Sequence, residues 1–178
     1  MSANLSQTQL LDFYESEKPL IHASESDPYK ILESRIEVLS KKDSQLGERY
    51  RSRLLRLKTE ISIKEDIDLA EIPDSNHLFR PADKNCQVKQ AAVRRNLNLP
   101  NQSKFLVDKR IWDQLTPMNQ AGLIMHEMVY EHFYLLGEQD STKARVMTAY
   151  LFSKKFSEAS SDGLWDTIRG LKVPIYRR

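Results

Sequence analysis

The residues best able to do chemistry lie together in the segment 120–130, which reads QAGLIMHEMVY. His126 and Glu127 form the first half of the H-E-x-x-H arrangement. In that arrangement two histidines on one helix face bind zinc, and the glutamate is the general base. Tyr130 stands where the second histidine would be, and a phenol is a rare zinc ligand. The pattern is therefore compatible with a degenerate enzyme, an altered site or a structural helix.

Further metal ligands are not supplied by the same helix face. Glu131 and His132 follow His126 by five and six positions, which places them well round the helix. A metal at His126 would need ligands from elsewhere in the chain. The candidates are Asp74, His77, Glu138 and Asp140.

Three roles remain open for the His-Glu pair. In the structural role, which is commoner on an amphipathic helix, a buried His126 bonds to a backbone carbonyl or a carboxylate and Tyr130 packs one turn later. In the catalytic role, Glu127 activates water held by His126 and a distant ligand. In the third role, these groups line a binding groove without a metal.

We favour His126 and Tyr130 as structural or binding residues. Glu127 is the candidate catalytic residue and His126 the candidate metal ligand; no cofactor is expected, and zinc is the alternative.

Composition favours an ordinary globular protein. The chain has 178 residues, of which 40% are hydrophobic and 29% charged, enough for one domain with a core. Its 27 basic and 25 acidic residues nearly cancel, so nothing in the net charge predicts nucleic-acid binding. The five glycines form no phosphate loop, and no apolar run is long enough to span a bilayer.

Cysteine usage and the N-terminus bear on the compartment. Cys86 is the single cysteine, so no disulfide forms within this sequence. In a loop near His77 it is better explained by packing or a lost disulfide than as a nucleophile. The first residues lack the features of a signal peptide. The compartment therefore stays open: the protein is periplasmic or exported if the sequence is a mature fragment, and otherwise cytoplasmic.

The hydrophobic period predicts helices in the first third of the chain. A short amphipathic helix is expected over 5–18, and Asp27 with Pro28 begins a long helix or helical hairpin. If the helix is broken, we expect the break at 41–45 or at Gly47. An apolar stripe follows the 32–61 segment and predicts core, with a partner helix or homodimer seam as the second interpretation. The stripe contains Leu32, Ile36, Leu39, Leu46, Tyr50, Leu54, Leu57 and Ile61. The other face, expected to be solvated, carries Arg49, Arg51, Arg53, Arg56 and Lys58.

The rest of the sequence, after the first third, predicts both strands and helices. Segments 87–94 and 104–108 are predicted strands of a hairpin, and 111–115 a short helical turn. Thr116 and Pro117 begin the central helix, which should end near Leu136 at Gly137. Asp140 and Ser141 should cap a helix that continues through Phe156, followed by a helical turn around Trp165.

The 115–127 segment resembles the active-site helix of zincin metallopeptidases, in which a short apolar run precedes His-Glu in the same way. By this resemblance His126 matches the first zinc ligand, Glu127 the catalytic base, and 105–107 the edge strand above the cleft. Tyr130 departs from the zincin pattern. The match covers about twenty residues of the 178.

The whole chain resembles an uncharacterised family of bacterial proteins, often exported. The resemblance rests on LLDFYE at 10–15, on the 74–91 segment with Cys86 and Gln90, and on the L-I-x-H-E-x-x-Y box with Ser141 and Arg145 after it. It implies that Tyr130 is the family's own residue at this position. It also implies that an export signal, and a cysteine partner for Cys86, lie outside this sequence.

These observations predict a mainly α (α+β) fold. A long N-terminal helix or helical hairpin over 1–70 packs on a compact helical unit over 71–178, which has a small β-hairpin and a degenerate zincin-like character. We expect the two regions to fold as one cooperative domain. The predicted function is a non-catalytic zincin-like binding or structural domain of unknown partner. The alternatives are a metal-dependent hydrolase with an atypical site and a helical protein–protein interaction module.

Overall fold

The chain folds into helices around a small mixed sheet, as the α+β prediction has it. The computed structural model describes residues 8–16, 19–65, 67, 69, 88–95 and 104–173. In chain order the elements are α1 (Leu11–Tyr14), α2 (Pro28–Lys42), α3 (Ser44–Glu60), β1 (Ile61–Lys64), β2 (Ala92–Arg94), β3 (Phe105–Asp108), α4 (Lys109–Trp112), α5 (Pro117–Leu135), α6 (Thr142–Leu151), α7 (Lys154–Glu158) and α8 (Ser161–Gly170).

The N-terminal helices form a hairpin. Asp27 caps α2 by accepting from the Tyr29 amide at 2.8 Å, and Pro28 occupies the first helical position. Asp43 ends α2 and caps α3, because its carboxylate accepts from the Leu46 amide at 2.7 Å. The break falls inside the predicted 41–45 stretch. At Gly47 an added Cβ would collide with Ser40, so the hairpin needs glycine there.

The apolar stripe of the hairpin is core of this chain. Its residues from Leu32 to Leu57 are buried against α5 and the C-terminal helices, so a seam with a second molecule would have to take them out of this core. The predicted solvated face is wrong at one position. Arg53 is buried, because it turns toward carboxylates of α3 and α5, whereas the other four basic residues are at most partly covered.

The sheet has the order β1-β3-β2. The predicted antiparallel pairing is present, because β2 pairs with β3 and Val93 lies opposite Leu106. Strand β2 is shorter than the predicted 87–94, since it begins at Ala92; residues 87 and 96–103 lie outside the described part. Strand β1 was not predicted, because Ile61 continues the helical period of the stripe. The structure instead ends α3 at Glu60 and pairs β1 parallel with β3, with Ile61 opposite Phe105. Tertiary pairing with a fully buried strand therefore overrides the local period.

The central helix follows its local signals. Thr116 caps α5 by accepting from the Asn119 amide at 3.3 Å, Pro117 opens the helix, and Gly137 follows its end with φ of 98°. The next prediction, one helix through Phe156, is wrong. Helix α6 ends at Leu151, and the Ser153 hydroxyl accepts from the Phe156 amide at 3.1 Å to begin α7.

The N-terminal segment is fixed on α5. Helix α1 covers only Leu11–Tyr14, which is shorter than the predicted 5–18; residues 1–7, 17 and 18 lie outside the described part. An added Cβ on Gly122 would lie 2.5 Å from Phe13 Cζ and 2.7 Å from Leu10 Cδ2. Asp12 directly precedes Phe13 in α1. The close approach at Gly122 therefore brings Asp12 toward the His-Glu pair, which lies one turn after Gly122 in α5.

None of the helices in the described part of the chain combines the length and the apolar composition needed to cross a bilayer.

Candidate functional site

His126 is paired with a carboxylate from α1. Its Nδ1 atom lies 2.7 Å from Oδ2 of Asp12. The Asp12 side chain is 3% exposed and that of His126 is 14% exposed, so the pair is largely shielded from water. The contact joins the N-terminal segment to the central helix.

The pair sets the protonation state of the imidazole. Burial by itself lowers the pKa of His126, but the Asp12 carboxylate and its hydrogen bond raise it, and Glu127 adds a smaller increase. The net result raises the pKa of His126 from 6.5 to about 9. At pH 7 the group is therefore an imidazolium that donates to Asp12.

Glu127 is buried beside this pair. Burial raises the pKa of the Glu127 carboxyl above its usual range; the positive charge of His126 opposes the rise and the Asp12 carboxylate adds to it. The charge of Arg94 lowers this pKa and the charge of Glu131 raises it. The sequence candidates His126 and Glu127 thus lie within one acidic cluster with Asp12.

Tyr130 lies one turn after His126, as the spacing requires. It is partly buried against the core, and its ring centroid is 6.2 Å from that of His126 and 6.4 Å from that of Tyr134. The ring therefore covers one side of the imidazole and continues an aromatic row along α5.

A second ionic group borders the pair, and the sequence analysis named its arginine only as part of a family resemblance, without a role. Arg145 of α6 donates through Nε to Glu15 at 3.2 Å and through Nη1 to the Ser141 hydroxyl at 3.1 Å. Its positive charge acts to lower the pKa of His126. Asp12 was not singled out as a functional residue, since it is 114 residues from His126 and was named only within the 10–15 stretch of the family resemblance.

The two candidate ligands that the structure describes, Glu138 and Asp140, bind other groups. Glu138 binds Lys143 at 2.7 Å, and the Asp140 carboxylate accepts from the Thr142 amide at 2.8 Å. Asp74, His77 and Cys86 lie outside the described residues. Among the residues that the structure describes, no three His, Cys, Asp or Glu side chains are grouped so that they could hold a metal ion.

Glu131 and His132 face a different neighbourhood. Glu131 binds Arg53 of α3 and lies 3.7 Å from Arg94 of β2. His132 Nδ1 lies 3.3 Å from the hydroxyl of Tyr50. Burial, with a smaller contribution from the charge of Arg49, lowers the pKa of His132 to about 4, so this imidazole is neutral at pH 7.

A pocket of about 90 Å³ opens beside this second histidine, between α3 and α5. It is lined by Arg49, Tyr50, Arg53, Arg56, Met128, Glu131, His132 and Leu135. The pocket therefore lies away from the Asp12–His126 pair, on the side of α5 that packs on the hairpin.

Comparisons of the chain with models of protein families, with curated proteins and with solved structures give no significant match.

Proposed function

We propose that the chain is a non-catalytic, zincin-like domain in which His126, Glu127 and Tyr130 organise the core around α5. The observation that carries this proposal is the shielded ion pair between His126 and Asp12. It gives the histidine a structural task, because it fixes α1 to α5 where Gly122 allows the two to touch.

The protonation state supports the same role. Zinc binds a histidine nitrogen that carries no proton, so metal has to displace a proton from the imidazolium. With a pKa of about 9 for His126, this competition weakens metal binding at pH 7 roughly a hundredfold. The described residues also offer no set of ligands that fits zinc around His126.

One observation favours the alternative, a metal-dependent hydrolase with an atypical site. A carboxylate on Nδ1 is the usual arrangement behind a zinc-binding histidine, and the raised pKa of Glu127 suits an acid–base group. This alternative needs ligands from residues that the structure does not describe, such as Asp74 and His77.

Metal analysis separates the two functions. The full chain, purified without chelator, is measured by elemental analysis beside His126→Ala and beside His22→Ala, which removes an exposed histidine. The structural role predicts substoichiometric zinc in all three proteins. Stoichiometric zinc in the wild type and His22→Ala that is lost in His126→Ala would contradict the proposal and favour the hydrolase.

A further inference from the structure

The pocket between α3 and α5 has an unbalanced positive charge. Three arginines of α3 line it: Arg49, Arg53 and Arg56 follow one another at four and three residues, which places them on one helix face. Its acidic lining residue is Glu131, and its histidine, His132, is neutral. Counted as formal charges, three arginines against one glutamate, the lining therefore carries a net charge of about +2.

Two of these arginines have no carboxylate partner among the residues that the structure describes. Within the described part of the chain neither Arg49 nor Arg56 forms an ion pair, and both are exposed at the pocket. Arg51, which points to the opposite side of α3, binds Glu48 at 2.9 Å. Unpaired charge on α3 is thus concentrated on the side that faces the pocket.

Arg53, at the base of the pocket, gives a second and independent indication that the pocket binds a ligand. Its side chain is 10% exposed and binds Glu131 and Glu60, yet its Nη1 atom is buried without a hydrogen-bond partner among the described residues. A buried unsatisfied guanidinium nitrogen is costly in a protein interior. An acceptor that enters beside it would relieve this cost.

We propose that this pocket binds a phosphate group. A dianion compensates both unpaired arginines, whereas a single carboxylate compensates one, and the guanidinium fork matches phosphate oxygens. The volume of about 90 Å³ is several times the space that one water molecule needs. Tyr50 adds a hydroxyl to the same wall, and Met128 and Leu135 add an apolar side.

The apolar side bears on the source of the phosphate. Leu135 is 65% exposed at the rim, so a phosphate monoester with an apolar body would gain contact there that inorganic phosphate would not. The site is on a different side of α5 from His126 and does not depend on the proposed role of that residue.

NMR titration of the full chain tests the proposal. Inorganic phosphate, phenyl phosphate and acetate are added at constant ionic strength, and amide shifts around Arg53 and His132 are followed. We expect saturable binding of both phosphates and at least tenfold weaker binding of acetate. Phenyl phosphate that binds tighter than inorganic phosphate supports an ester as the source, and equal binding supports free phosphate.

Charge variants give the matched control. Arg49→Gln combined with Arg56→Gln removes two exposed side chains, and should weaken phosphate binding at least tenfold while the circular dichroism spectrum is retained. Arg51→Gln removes a positive charge from the same helix but not from the pocket, and should change binding less than twofold. Shifts that never saturate, acetate equal to phosphate, or equal losses in Arg51→Gln and the double variant would each overturn the proposal.

Discussion

The two histidines of α5 lie six residues apart and have opposite protonation behaviour. His126 meets the Asp12 carboxylate and its pKa is about 9, whereas His132 meets the Tyr50 hydroxyl and its pKa is about 4. Both are mostly buried. The difference shows that burial alone lowers the pKa of a histidine, and that a carboxylate in contact reverses the effect.

The two carboxylates of the helix also have different neighbours. Glu127 lies in an acidic cluster, and burial raises the pKa of its carboxyl. Glu131 binds Arg53 and lies near Arg94 in a basic neighbourhood. On one side of α5, carboxylates surround the His126 imidazolium. On the other side, arginines surround the neutral His132 imidazole.

The largest expected effect comes from Asp12→Asn. Without the carboxylate, burial dominates and the pKa of His126 falls below 6.5, so the variant should lose about 3 kcal/mol of unfolding free energy at pH 7. Urea unfolding measures the loss and NMR titration the pKa. Asp113→Asn, at an exposed ion pair with Lys109, is the control and should cost less than about 0.5 kcal/mol.

The same pair predicts a pH dependence in the alkaline range. Because the folded pKa of His126 lies above 6.5, its stabilisation is complete below pH 6.5 and is lost as the pH rises through about 9. The Asp12→Asn variant should lack this decline. An alkaline limb that is the same in both proteins would contradict the ion pair.

The second prediction concerns the loss of stability at acidic pH. The folded pKa of His132 is about 4, so between pH 6.5 and 4 the unfolded chain takes up a proton that the folded chain excludes. This should lower the stability by about 2 kcal/mol from pH 7 to pH 5. The His132→Gln variant should lack that part of the decline, and His22→Gln, at an exposed histidine, should retain it.

A third prediction compares the two carboxylates. Glu127→Gln should leave the stability at pH 7 unchanged or raise it by at most about 1 kcal/mol, because it removes an ionisable group whose charged form is disfavoured by burial. Glu131→Gln should destabilise, since Arg53 then loses a partner in a buried position. Thermal unfolding of both variants checks the signs. Destabilisation by Glu127→Gln as large as by Glu131→Gln would remove the contrast between the two sides.

The smallest effect is expected for Arg49→Gln. Its charge contributes to the lowered pKa of His132, so the pKa of His132 should rise in the variant, while the stability changes by less than about 0.5 kcal/mol. Arg51→Gln, on the far side of α3, is the control and should leave the His132 titration in place. NMR titration of the imidazole resonances measures both variants.

The sequence by itself determined the features that depend on neighbouring residues. Asp27 with Pro28, and Thr116 with Pro117, mark helix starts because the Asp27 and Thr116 side chains accept from amides two or three residues on. The apolar stripe and the faces of α5 follow from the helical period, so the separation of Glu131 and His132 from His126 was readable in advance.

Only the tertiary structure decided which distant groups meet. Strand β1 exists because β3 pairs with it, against the local helical period. Asp12 reaches His126 because Gly122 admits α1, and Arg53 leaves the predicted solvated face because Glu131 approaches from another helix. Such contacts join residues far apart in the chain, and no periodicity or short motif encodes them. The role of the His-Glu pair therefore depends on Asp12, which lies outside the motif.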